Sequence, residues 1–116
     1  MNLYHVTFDL KDEAKTLGFA KSLGDWLGYL EGEGVIGPWR LLRRKLGLGS
    51  DAHGDFLLEV EFRELAHLDE AFRHVGSHSD EVERLYHPVH AMIARTQVSI
   101  YRPFPDEERA ERVALL

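Results

Sequence analysis

Phe56-Leu57-Leu58-Glu59-Val60-Glu61-Phe62-Arg63-Glu64-Leu65-Ala66-His67-Leu68-Asp69-Glu70-Ala71-Phe72-Arg73-His74-Val75 changes its hydrophobic period in the middle. From Phe56 to Phe62 the pattern alternates, with Phe56, Leu58, Val60 and Phe62 on one side and Leu57, Glu59 and Glu61 on the other. That is the period of a half-buried strand. From Glu64 onward Leu65, Leu68, Phe72 and Val75 recur at helical spacing, which predicts a helix with that stripe inward and Gly76 as its interruption.

Upstream, Val35 to Leu46 reads as another strand, joined to Phe56–Phe62 by the turn-forming segment Gly47 to Gly54. Its charges suit a sheet edge, where Arg and Lys discourage unwanted pairing. Before it, Phe19, Leu23, Trp26, Leu27 and Leu30 mark one long amphipathic helix from Asp12 to about Glu31, with acidic residues in its first turn and Gly32 and Gly34 at its end. Asn2 to Leu10 alternates as the opening strand. Downstream of Ser79, the residues Val82, Leu85, Tyr86, Val89 and Ile93 form a second helical stripe, which Pro88 is expected to kink or break because it has no N–H to give the carbonyl of Arg84. Thr96 to Arg102 alternates as the last strand, ended by Pro103 and Pro105. The order strand, helix, strand, strand, helix, strand predicts an α+β, ferredoxin-like βαββαβ fold: a four-stranded antiparallel sheet with the helices on one face. Residues 1–105 form that domain, and residues 106–116 a tail that reads as a short helix with Ala110, Val113 and Ala114 on one side.

At 116 residues the chain holds one core and no separate cofactor domain. Its 44% hydrophobic and 29% charged content is that of an ordinary globular protein. Without cysteine, thiolate nucleophiles, disulfides, Cys-based zinc sites and iron–sulfur clusters are excluded, so chemistry falls to His, carboxylates, Tyr or Arg. A net charge of −6, with its one basic run confined to Arg40, Arg43, Arg44 and Lys45, argues against a nucleic-acid partner. No apolar run is long enough to span a bilayer and no secretory pattern opens the chain, so no membrane partner and a cytoplasmic location are expected.

Alternation then assigns the sheet face away from the helices to His5, Thr7, Leu57, Glu59, Glu61, Gln97, Ser99 and Tyr101. An imidazole, two carboxylates and a phenol on neighbouring strands suit general acid–base work. An ordinary solvated face has the same composition, but His5 on a central strand is hard to leave merely exposed once two sheets pack together. His74 and His78, four apart, and His87 and His90, three apart, each share a helical face. No HExxH accompanies them and only Glu83 offers a third ligand, so no metal and no cofactor are expected. Phosphate loops, serine nucleophile motifs and dinucleotide fingerprints are absent as well.

The opening Tyr4-His5-Val6-Thr7-Phe8-Asp9-Leu10-Lys11-Asp12-Glu13, the strand Leu58-Glu59-Val60-Glu61-Phe62 running into a helix, and His87-Pro88-Val89-His90 resemble the dimeric α+β barrel superfamily. Its branches include antibiotic-biosynthesis-type monooxygenases, stress-responsive A/B-barrel proteins and plant polyketide cyclases. The resemblance implies a homodimer in which two sheets pack face to face into a barrel, with a cofactor-free pocket often lying between sheet and helices. In the cyclase branch the matching residues are His5 and the HPxH pair His87 and His90; by distance from the strand, His74 or His78 is the counterpart instead.

Three functions follow from these readings. In a cofactor-independent enzyme on a small apolar or aromatic metabolite, of cyclase or monooxygenase type, His5 and either His78 or His90 exchange a proton with the substrate. Tyr101 joins them, and Trp26, Tyr29, Trp39, Thr7, Glu59 and Gln97 contact the substrate; this reading expects a cavity that reaches His5, and loss of ligand binding in His5→Ala. The alternative is a non-catalytic dimeric ligand-binding or protein-interaction module, its histidines satisfied by neighbouring carboxylates such as Glu59 or Glu83 and its interior filled or shallow. A third is haem binding through a helical histidine.

Overall fold

The computed structural model describes residues 1–77 and 79–106. His78 and all of the tail beyond Asp106 lie outside the described residues. The elements are β1 (Asn2–Leu10), α1 (Thr16–Gly32), β2 (Trp39–Arg43), β3 (Phe56–Phe62), α2 (Leu65–Val75), α3 (Asp80–His90) and β4 (Ile93–Tyr101), with a short 3-10 turn, Glu13–Lys15, ahead of α1. The strands form one antiparallel sheet in the order β2-β3-β1-β4, the ferredoxin-like arrangement, with β1 and β3 central and β2 and β4 at the edges. Register places Tyr4 opposite Val60 and Ile100, Val6 opposite Leu58 and Val98, and His5 opposite Glu59 and Ser99.

One face of the sheet meets the helices. Phe8, Phe19 and Val89 are wholly enclosed there. The Phe8 ring stacks on Phe56 with centroids 5.5 Å apart and takes Phe19 edge-on at 5.5 Å, so β1, β3 and α1 meet in a single aromatic cluster. Leu23, Trp26, Leu27 and Leu30 extend α1's buried stripe along the sheet.

Several boundaries differ from the sequence reading for identifiable reasons. The long first helix is divided, because Asp12 caps the 3-10 turn by accepting from the Ala14 N–H, and α1 proper starts only at Thr16. Its other end is a Schellman closure: Gly34, at φ 71°, donates to the Glu31 carbonyl and Val35 to that of Leu30. Val35 and Ile36 are consumed by that closure, so the strand expected over Val35–Leu46 shortens to Trp39–Arg43. Gly37 is tied to the Glu61 carbonyl, and a Cβ there would lie 2.6 Å from that oxygen. Pro88 does not break α3: it removes one bond in an exposed stretch where water can reach the Arg84 carbonyl, and the helix continues to His90.

The stripe on α2 is also turned from expectation. Leu65 and Phe72 are about half exposed, and His67, Leu68 and Ala71 face the core. The cause is His67, which accepts the Arg63 N–H at Nδ1 (3.2 Å) and so carries its proton on Nε2, from which it donates to the Gly34 carbonyl (3.1 Å). These two bonds satisfy an orphan donor ahead of the helix and fasten α2 to the end of α1. On β4, Val98 and Ile100 point to the helix side as expected but remain 52% and 49% exposed, because the helix layer sits over β1 and β3.

Candidate functional site

A cavity of about 390 Å³ lies between the helix-facing side of the sheet and the helices. Val6 and Val60 from the central strands form its floor, Trp26 and Leu30 from α1 its roof, and Phe72, His90, Thr96 and Val98 its open side. The mouth is therefore where β4 escapes helical cover. No Lys, Arg, Asp or Glu is among the lining residues, so the interior suits an uncharged, largely apolar guest.

His90 is the imidazole at this cavity. The last turn of α3 holds it: Nδ1 hydrogen-bonds the Tyr86 carbonyl at 3.1 Å, and the imidazole stacks on the Tyr86 ring with centroids 3.6 Å apart. With Nδ1–H donating to that carbonyl, the lone pair resides on Nε2. Burial lowers the pKa of His90, and the bond to Tyr86 opposes that only partly. A neutral imidazole with a basic Nε2 is the form that accepts a proton near neutral pH. Tyr4 also lines the cavity, its ring edge-on to Phe62 and Phe72, and burial raises its pKa, so it is a phenol rather than a phenolate.

The remaining sequence-selected residues separate into groups. Trp26 lies at the cavity, in edge contact with Tyr86 at 5.6 Å and stacked with Tyr29 at 6.4 Å. Tyr29 is one step removed, its hydroxyl 3.4 Å from Nε2 of His74 across α1 and α2. Trp39 starts β2 opposite Val60 and packs against the core. His5, Thr7, Glu59, Gln97 and Tyr101 lie together on the other side of the sheet, as alternation requires. There His5 meets the Tyr101 ring edge-on at 5.4 Å, and Glu59 is held by Arg40 at 2.6 Å. His5 is not among the residues that line this cavity, which lies on the helix side of the sheet; the outer face carries a separate open hollow of about 430 Å³ at Leu3, Trp39, Arg40, Glu59 and Glu61. Sequence reading missed Tyr4, Tyr86 and Phe72 as lining residues; the signal for Tyr86 was its place four residues before His90 on one helical face.

Among the described residues no group of three or more His, Asp or Glu is placed to hold a metal ion, and no helix is long and apolar enough to cross a membrane.

The fold is shared with solved proteins of low sequence identity. A "dabb" family protein with a ferredoxin-like fold from Mesorhizobium loti superposes with a TM-score of 0.63 at 20% identity, over 89% of this chain and 96% of that one. A dimeric protein of unknown function and ferredoxin-like fold from Bacteroides fragilis gives 0.58 at 15%, over 86% and 93%. A variant of SnoaB, a cofactor-independent oxygenase from Streptomyces nogalater, gives 0.64 at 7%, over 93% and 97%. These likenesses show the ferredoxin-like α+β fold that the order of elements in the sequence predicts. No curated protein matches the chain. Across residues 1–116 the sequence matches the model of the family of unknown function DUF6614, and the chain belongs to that family.

Proposed function

We propose that this chain is a cytoplasmic, homodimeric barrel protein that takes a small apolar or aromatic molecule into the space between its sheet and helices and exchanges a proton with it through His90, without a cofactor. The observation that carries this reading is the coincidence of an uncharged cavity of about 390 Å³ with one imidazole whose basic nitrogen is left available. Ligand sites commonly have roughly 300–1,000 Å³ and a few placed polar groups on apolar walls, so this one suits a guest of two or three fused rings. Trp26, Tyr4 and Tyr86 supply flat walls for it. The cofactor-independent oxygenase among the structural neighbours supports chemistry of this kind in the same fold.

The dimer is supported by the outer sheet face, where Leu3, Leu42 and Leu57 lie among polar groups, and by the neighbour described as dimeric. In such a pair the outer faces meet, and His5, Glu59, Gln97 and Tyr101 act at the junction between subunits rather than on the cavity guest.

Native mass spectrometry of the freshly purified protein tests both parts at once. A mass of twice 13.3 kDa, with a discrete small adduct lost on partial unfolding, is expected. A bare monomer contradicts the barrel, and a dimer that never carries or accepts an aromatic guest contradicts the ligand assignment.

A further inference from the structure

The loop between β2 and β3 spends stability on an exposed apolar tip. Leu46 is 88% exposed and adopts φ 60°, a left-handed conformation that a leucine rarely takes, and Leu48 is 68% exposed between the positive-φ Gly47 and Gly49. Neither is among the residues packed on the core. The loop is nonetheless built firmly: Arg44 bonds the carbonyls of Ser50 and His53 through Nη1 and pairs with Asp55 through Nη2 at 2.9 Å. Its far side is seated on β1, where the Asp55 N–H donates to Asp9 and a Cβ on Gly54 would lie 2.7 Å from the Phe8 nitrogen. A pinned loop holding two leucines outward in a costly conformation is a contact surface rather than a slack connection.

The same end of the molecule gathers cations. β1 ends and β3 begins here, so the β1–α1 connection and the first turn of α1 lie alongside the loop. Leu17, 86% exposed, is a third outward leucine. Lys11, Lys15, Arg43, Arg44, Lys45 and Arg95 place six of the chain's 14 cations at this end, against Asp9, Asp12, Glu13, Asp51 and Asp55, five of its 20 carboxylates. Arg44 and Arg95 are paired with Asp55 and Asp9. This pole is thus slightly cationic on a chain of net charge −6, and an anionic surface attracts it while turning the rest of the molecule away.

We propose that the Leu46–Leu48 tip, with Lys45 beside it and Lys11 and Lys15 on the adjoining connection, docks reversibly on an anionic lipid surface, the leucines entering the headgroup boundary and the lysines facing lipid phosphates, while the Arg43 guanidinium stays over the Phe56 ring. Such contact needs no membrane-spanning helix, only exposed apolar side chains and nearby cations at a surface.

The test is flotation of the full chain with phosphatidylcholine vesicles and with phosphatidylcholine–phosphatidylglycerol vesicles. Binding is expected only with phosphatidylglycerol present and is expected to be released in about 0.5 M salt, since exposed charges are then screened within a few ångströms. The double variant Leu46→Asn, Leu48→Ser, in which Asn tolerates the left-handed backbone, is expected to lower partitioning about tenfold with an unchanged circular dichroism spectrum. Leu65→Ser, at the opposite end of the sheet, is expected to bind as the parent does. Absence of flotation, equal binding to neutral vesicles, or full binding by the double variant overturns the proposal. So does a double variant that turns a dimer into monomers, which assigns the tip to a contact between two copies.

Discussion

Replacing His67 separates a histidine that holds the fold together from His90, which lies at the cavity. His67 is 3% exposed and takes part in two hydrogen bonds that join the β3–α2 corner to the end of α1, with its ring edge-on to Phe62 at 5.2 Å. His67→Phe keeps a flat ring but leaves the Arg63 N–H and Gly34 carbonyl without their partner. Both belong to exposed residues where water can partly substitute, so the expected cost is about 1–2 kcal/mol. His67→Ala also opens a void beside Phe62 and is expected to cost about 3 kcal/mol in all. With a urea dependence of about 1–3 kcal/mol per molar, that moves the midpoint down by about 1–3 M, read by circular dichroism at the helical band. His90→Ala, at the cavity mouth, is expected to cost under about 1 kcal/mol in the same assay. A His67→Ala midpoint within about 0.3 M of the parent, or a His90→Ala loss as large as that of His67→Ala, refutes the division of roles between the two histidines.

Gly54→Ala is expected to destabilise the fold by about 2–4 kcal/mol, because the added methyl lands on the backbone of the central strand, 2.8 Å from the Phe8 carbonyl oxygen; urea unfolding measures it, and a neutral effect contradicts the close approach. Burial lowers the His90 pKa in the folded state below the ordinary 6.5, so the unfolded chain binds more protons. Stability that is full above about pH 6.5 is therefore lost as the pH falls through 6.5 toward the depressed folded value, below which the loss levels off. His90→Gln is expected to remove that component from the pH dependence of unfolding, and an unchanged profile is the contrary result.

The fold was legible because its strands alternate and its helices do not. The clean switch at Phe62–Glu64 fixed one strand–helix junction, and the register of His5 with Glu59 and Ser99 followed from the period of two. What the sequence could not show was where cover ends. Val98 and Ile100 read as core residues by alternation, yet the helices do not extend over β4, and that shortfall creates the cavity mouth. The orientation of α2 was illegible for a different reason. Leu65 and Phe72 are more apolar than His67, but two hydrogen bonds turn the histidine inward and rotate the stripe with it. The candidate site was half visible: His90 and Trp26 were selected and line the cavity, whereas Tyr4 and Phe72 meet them only through tertiary packing. His5 and Tyr101 lie on the outer face, where alternation put them, and neither lines the cavity on the helix side.

A guest held between sheet and helices is detected by titration with the uncharged fluorophore N-phenyl-1-naphthylamine. The parent protein, His5→Ala and Ala71→Phe are compared, each with a native circular dichroism spectrum; Ala71 is a buried lining residue whose enlargement fills the cavity. Saturable binding by the parent and by His5→Ala, with at least a tenfold loss in Ala71→Phe, is the predicted result. Binding that survives Ala71→Phe and disappears in His5→Ala places the guest on the outer sheet face and contradicts the account.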